Sequence, residues 1–137
     1  MIIFTVPGTP VGKGRPRFAR RGAYVSTYTD SKTASYENLV KLKAEEAMVG
    51  RDLISGAVAV TILLFITPPA SWSNKKMLQA LNHEILPTTK PDIDNVTKAI
   101  FDAMNEIVWN DDKQVVDFTL RKRYANTARA TVEVRPI

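Results

Sequence analysis

At 137 residues, with 45% apolar and 24% charged side chains, the chain has the size of one soluble globular domain, 1–137, that needs no disulfide or structural metal to fold. Nineteen Lys and Arg against fourteen Asp and Glu give a net charge of +5, while zero cysteines and a single histidine, His83, exclude thiol chemistry and Cys/His zinc sites, so any metal must be held by oxygen. The longest apolar stretch, Ala57–Ile66, is about half a membrane span, and the opening Met1-Ile2-Ile3-Phe4 has neither a charged n-region nor a cleavage site, which predicts a cytoplasmic protein with no membrane partner.

Met1–Val6 alternates weakly and stops at Pro7-Gly8, which predicts a first strand, with Ala23–Thr27 as a short partner. Between them runs Gly12-Lys13-Gly14-Arg15-Pro16-Arg17-Phe18-Ala19-Arg20-Arg21-Gly22. No acid precedes Asp30, so the five cations Lys13, Arg15, Arg17, Arg20 and Arg21 equal the whole net charge. Glycine and proline argue for a basic loop, and its self-repulsion would be relieved by phosphates. Ser31–Val49 reads as a helix with Tyr36, Val40, Ala44, Ala47 and Met48 on one stripe and Gly50 as its stop. Ala57–Ile66, β-branched and apolar on both faces, reads as a central strand.

Ser73 is placed to cap a short helix ending near Leu81, and Pro87-Thr88-Thr89-Lys90-Pro91 demands an extended connection. Val96, Ala99, Ile100, Ala103, Met104 and Ile107 then repeat at three and four, predicting a helix over Asn95–Ile107 with Asp94 as N-cap. Gln114–Tyr124 and Arg129–Arg135 alternate at period two around Ala125-Asn126-Thr127, which predicts a C-terminal β-hairpin whose Arg121, Arg123, Arg129 and Arg135 face solvent. The whole reads as an α+β domain with a mixed, mainly antiparallel sheet, two main helices on one face and that hairpin.

Chemistry concentrates in Lys90-Pro91-Asp92-Ile93-Asp94-Asn95-Val96-Thr97-Lys98 and Trp109-Asn110-Asp111-Asp112-Lys113-Gln114. In an extended segment Asp92 and Asp94 point to the same side while Ile93 turns into the core, and two such carboxylates repel unless a cation lies between them. An all-oxygen, carboxylate-rich set suits Mg²⁺ or Mn²⁺ and fits zinc or copper poorly. Lys98, one turn after Asp94, shares a polar stripe with Asn95, Asp102 and Asn105, where an ammonium can stabilise phosphoryl charge or protonate a leaving oxygen.

These stretches resemble the RusA family of Holliday junction resolvases, crossover junction endodeoxyribonucleases of bacteria and prophages that serve DNA recombination and repair. The likeness runs through Val11-Gly12-Lys13-Gly14-Arg15-Pro16-Arg17, Lys90-Pro91-Asp92-Ile93-Asp94-Asn95 and Phe101-Asp102-Ala103 to Trp109-Asn110-Asp111-Asp112-Lys113-Gln114-Val115-Val116, nearly the whole chain. It implies metal-binding aspartates at Asp92, Asp94 and Asp112 and an essential lysine at Lys98, with Asp111, Asp102 and Asn95 as auxiliary candidates. It further implies a homodimer that binds four-way or branched DNA and, with Mg²⁺ or Mn²⁺, makes two symmetric nicks with 5′-phosphate ends. Pro91 stands where some relatives carry an arginine, so Lys90 joins Lys13, Arg15, Arg17, Arg20 and Arg21 as a DNA-binding candidate.

Two other readings fit the same residues: a DNA-binding module in which the aspartates are caps, and a PD-(D/E)xK-type nuclease in which Lys113 is catalytic. A distance problem bears on the resolvase reading. A helix over Asn95–Ile107 rises roughly 20 Å and carries the chain away from Asp92 and Asp94 before Asp112. Uniting the acids within one subunit requires an early helix end and a sharp fold-back; a two-fold dimer that shares acids between subunits is the other solution.

Overall fold

The computed structural model describes residues 1–13, 17–21, 24–28 and 31–137, the two short stretches as backbone only. The elements follow as β1 (Ile2–Pro7), β2 (Arg17–Arg21), β3 (Tyr24–Tyr28), α1 (Ser31–Ala47), β4 (Val58–Ile66), α2 (Asn74–Leu81), α3 (Ile93–Met104), a 3-10 turn (Asp112–Gln114), β5 (Val115–Tyr124) and β6 (Arg129–Pro136). The expected α+β class holds: one four-stranded sheet in the order β1-β6-β4-β5 has antiparallel pairs β1–β6 and β6–β4 and a parallel pair β4–β5. Among the described residues no helix is long and apolar enough to cross a membrane.

Strand order corrects two expectations. β5 and β6 do not form a hairpin, because β4 lies between them and pairs with both. The apolar character of β4 is the physical reason: Val58, Val60, Ile62, Leu64 and Ile66 are buried on one face, and on the other Ala59 is buried with Leu63 and Phe65 half-buried, a pattern that suits a central strand. Likewise β1 pairs with β6, and the strand expected to accompany it, β3, pairs with β2 in a separate two-stranded sheet. Arg17, Arg20 and Arg21 of the expected basic loop therefore lie on a strand, whereas Arg15 is outside the described residues.

Register aligns Phe4 with Val132, Val132 with Ile62 and Ile62 with Leu120, one apolar row across the sheet on the face covered by the helices. α1 supplies Tyr36, Val40 and Ala44, spaced four apart, before Gly50 (φ 74) turns the chain out of the helix. α2 starts as expected, the Ser73 hydroxyl accepting from the Lys76 N–H at 3.2 Å. α3 contributes Val96, Ala99, Ile100, Ala103 and Met104 but ends at Met104, three residues before the predicted stop, so Ile107 falls outside it.

Candidate functional site

α3 begins earlier than its periodicity implied, and this rearranges its acids. Asp92, not Asp94, occupies the N-cap position, extended at φ −74 and ψ 138, and its carboxylate makes no capping hydrogen bond. The nearest contact is the Asn95 amide, donating to Asp92 Oδ2 at a long 3.5 Å. Ile93, expected in the core, is the first helical residue and is 48% exposed. Once the chain turns helical at residue 93, the period-two alternation that would bury it is lost. Asp94 lies in the first turn, where the positive end of the helix dipole favours a carboxylate. Lys98, four residues on, is exposed, and together with Asp94 it lines a groove of about 380 Å³ walled by Ile93, Thr97, Phe118 and Leu120.

At the other end of α3 the chain reverses sharply. Glu106 takes a positive φ of 66, its N–H donates to the Trp109 carbonyl at 2.7 Å, and the Val108 N–H returns to Met104 at 3.0 Å. Trp109, fully buried, donates its indole N–H to Asn105 Oδ1 at 2.7 Å, so the largest core side chain also pins the turn. The 3-10 turn that follows separates two acids that sequence spacing left equivalent. Asp111 spends its carboxylate on the Lys113 N–H at 2.9 Å in a capping box closed by Gln114. Asp112 instead interacts with α3. Burial, then the charges of Asp111 and Asp102, hold its carboxyl above the usual range, and an Asn105 hydrogen bond works the other way. Lys113 sits on the 3-10 turn and not on a strand, unlike the arrangement a PD-(D/E)xK site uses.

The root of the basic segment is clamped onto α3. Gly12 packs so closely that a Cβ there would meet Asn95 Cβ at 2.8 Å, and the Lys13 N–H donates to the Asn95 carbonyl at 2.9 Å. The Thr33 hydroxyl, from α1, donates to the Gly12 carbonyl at 3.3 Å. Lys13, a DNA-binding candidate by sequence, turns its ammonium inward to Asp102 at 2.9 Å and Glu37 at 3.2 Å. The Asp102 hydrogen bond, with Glu37 adding to it against burial, holds that ammonium above the ordinary lysine range. Nothing local announced this triad, whose members lie far apart in sequence. Lys90 remains exposed on the rim of a second groove, of about 410 Å³, that also borders Gly12, Asp92 and Asn95.

The fold thus draws Asp112 to Asp102 and Asn105 but leaves Asp92 and Asp94 at the opposite end of the helix, since eight residues separate Asp94 from Asp102, roughly 12 Å of rise. Among the described residues no three acidic or histidine side chains of the single chain converge tightly enough to hold an ion. The early helix end and the fold-back are both present, yet they bring the second acidic segment only as far as the C-terminal half of α3.

Residues 7–135 match the family model described as endodeoxyribonuclease RusA. The chain is also similar to the uncharacterized protein YqaN of Bacillus subtilis (strain 168), at 36% identity over 138 residues, covering 99% of this chain and 96% of that one.

Proposed function

Since the chain belongs to the RusA endodeoxyribonuclease family, we propose that it is a metal-dependent endonuclease that resolves four-way DNA junctions by paired symmetric nicks, acting as a homodimer. The observation that carries this reading is that the fold holds carboxylates it does not use structurally. Asp92 occupies a cap position without capping, and Asp112 is held beside Asp111 and Asp102 at a cost to its ionised form. A cation would relieve the crowding at Asp112 and give the non-capping Asp92 carboxylate a partner.

The donor set fits a hard divalent ion: Asp92, Asp94 and Asp112 offer only oxygen, which suits Mg²⁺ or Mn²⁺. When bound, such an ion supplies charge neutralisation at the phosphodiester and activation of the attacking water. The chain's own residues do the rest. Lys98, exposed beside Asp94, offers the ammonium that stabilises the pentavalent charge or protonates the departing 3′-oxygen. Attack of water on phosphorus with rupture of the bond to that oxygen leaves a 5′-phosphate and a 3′-hydroxyl.

The separation of the acids along α3 supports a shared arrangement, in which Asp92 and Asp94 of one subunit face the partner subunit's Asp112 across a two-fold axis and two equivalent sites result. Ile93 and Phe118, 48% and 42% exposed, flank the groove of Asp94 and Lys98 beside the edge strand β5, and a second copy would cover them. The test is cleavage of a synthetic four-way DNA junction with Mg²⁺, Mn²⁺ or EDTA. Metal-dependent paired nicks are expected; tight junction binding with no cleavage in either metal would make the protein a binding module, and equal competition by linear duplex would overturn the junction assignment.

A further inference from the structure

Residues 86–91, which lead from α2 into α3, are exposed apart from buried Pro87 and half-buried Pro91. Pro87 and Pro91 lack N–H groups, and among the described residues no backbone–backbone hydrogen bond involves 86–91. The stretch nevertheless sets where Asp92 stands, because Asp92 follows it directly at the head of α3. Its hold comes from the sheet. Lys122, near the C-terminal end of β5, donates its ammonium to the Thr89 carbonyl at 2.7 Å and to the Pro91 carbonyl at 3.0 Å. β5 and α3 run antiparallel, as the contacts of Phe118 with Phe101 and of Asp112 with Asn105 show, so Lys122 arrives at the entrance of α3 while Asp112 arrives at its exit. The β4–β5 register, Lys122 opposite Leu64, anchors the lysine backbone on the central strand of the core.

Resting on the nuclease reading, we propose that Lys122 is a positioning residue: its ammonium ties the 89–91 segment to β5 and so fixes the Asp92 carboxylate for cleavage. A lysine suits this task because one compact ammonium with three donors can satisfy two carbonyls from different peptide units. Both bonds direct the charge into the protein, which distinguishes it from the phosphate-contacting cations of a DNA surface. Side chains that position a reactive group act on the bound complex, and a displacement of about 1 Å costs up to about 100-fold in rate. Removal of the ammonium is therefore expected to lower turnover and leave association alone.

The experiment compares Lys122→Met, which keeps the apolar stem, with Lys122→Arg, which keeps a donor. Amide exchange over residues 96–100, which begins with the Val96 N–H bonded to the Asp92 carbonyl at 3.1 Å, is read by mass spectrometry, along with single-turnover nicking of a synthetic four-way junction in Mg²⁺ and the salt dependence of junction binding in EDTA. Lys122→Met should exchange faster over 96–100, with β4 unchanged, and nick about 10- to 100-fold more slowly from the bound state. Its affinity and salt slope should match the parent, and Lys122→Arg should recover most of the rate. Unchanged exchange in Lys122→Met overturns the tether; faster exchange with unchanged nicking overturns the positioning role. Weakened binding with a flatter salt slope overturns it in favour of a phosphate contact. A parent protein that binds junctions without nicking them defeats the nuclease reading instead, and the exchange comparison still decides the tether.

Discussion

The two ends of α3 carry acids under opposite physical conditions. At the N-terminal end, Asp92 and Asp94 are exposed and sit where the helix dipole is positive, so their charges are tolerated although, among the described residues, neither is in an ion pair. At the C-terminal end the dipole is negative, Asp102 and Asp112 are half-buried, and the protein supplies Lys13 to one and the Asn105 amide to the other. Acids can therefore be placed at the head of a helix almost without consequence, whereas the same groups at its tail must be compensated residue by residue. The compensation is incomplete at Asp112, whose carboxyl stays above its usual range.

The largest effect should come from removing charge at either end. Asp92→Asn and Asp112→Asn are each expected to reduce single-turnover nicking by at least about two to three orders of magnitude while junction affinity is kept or improved, since each substitution also removes repulsion of phosphate. Near-normal nicking by either variant would remove that end of the helix from the site. Mixing the two variants sharpens the comparison further. If the ends cooperate across a dimer, half of a one-to-one mixture is hybrid and each hybrid keeps one intact site, so about a quarter of the parent's sites return, as nicks in one strand. Complete inactivity, with hybrids shown to form, places both ends in one subunit's site.

Next in size is the contrast between two lysines. Lys98→Ala should slow nicking by roughly 100-fold, within the usual range for loss of a positioned proton donor, and Lys113→Ala should change it little; the reverse ranking would favour the PD-(D/E)xK reading. Much of this was legible because local pattern carried it. The apolar stripe from Val96 to Met104 marked α3, and the doubly apolar run ending at Ile66 marked the central strand. The false hairpin arose from equally local evidence, two alternating segments around a short turn, and only pairing to β4, dozens of residues earlier, displaces it. The site divides in the same way. Asp92 and Asp94 announce themselves in three residues, but the Lys13 triad joins positions 13, 37 and 102, and no spacing rule reaches that far.

A smaller effect separates the clamped cation from the arm beyond it. Truncating Arg15, Arg17, Arg20 and Arg21 together should flatten the plot of log affinity against log salt by up to about 0.9 for each lost phosphate contact. Lys13→Ala should leave that slope nearly unchanged and instead cost roughly 1–2 kcal/mol of stability in denaturant melts, because Asp102 and Glu37 lose a shared partner. A large slope change from Lys13→Ala would put its ammonium on DNA after all.

The smallest effect concerns pH. A carboxyl whose folded value is raised destabilises the native state when ionised, so the penalty is full above the folded pKa and vanishes below the unfolded one. Metal-free Asp112→Asn should therefore melt slightly higher than the parent at neutral pH, with the gain fading as pH falls through the carboxylate range. A variant that melts lower at neutral pH contradicts the strain assigned to this end of α3.

The interposed position of β4 also orders events during synthesis. β1 pairs only with β6, and β6 follows it by more than a hundred residues, so a growing chain carries Ile2, Phe4 and Val6 without their strand partner until β6 has left the ribosome. At 5–20 residues per second that interval is on the order of ten seconds. Once made, β4 lacks both neighbours until β5 emerges, and its other side stays unpaired until β6 does. Nascent chains stalled short of residue 129 should accordingly bind trigger-type holdases, and release them only when β6 closes the sheet from both sides at once.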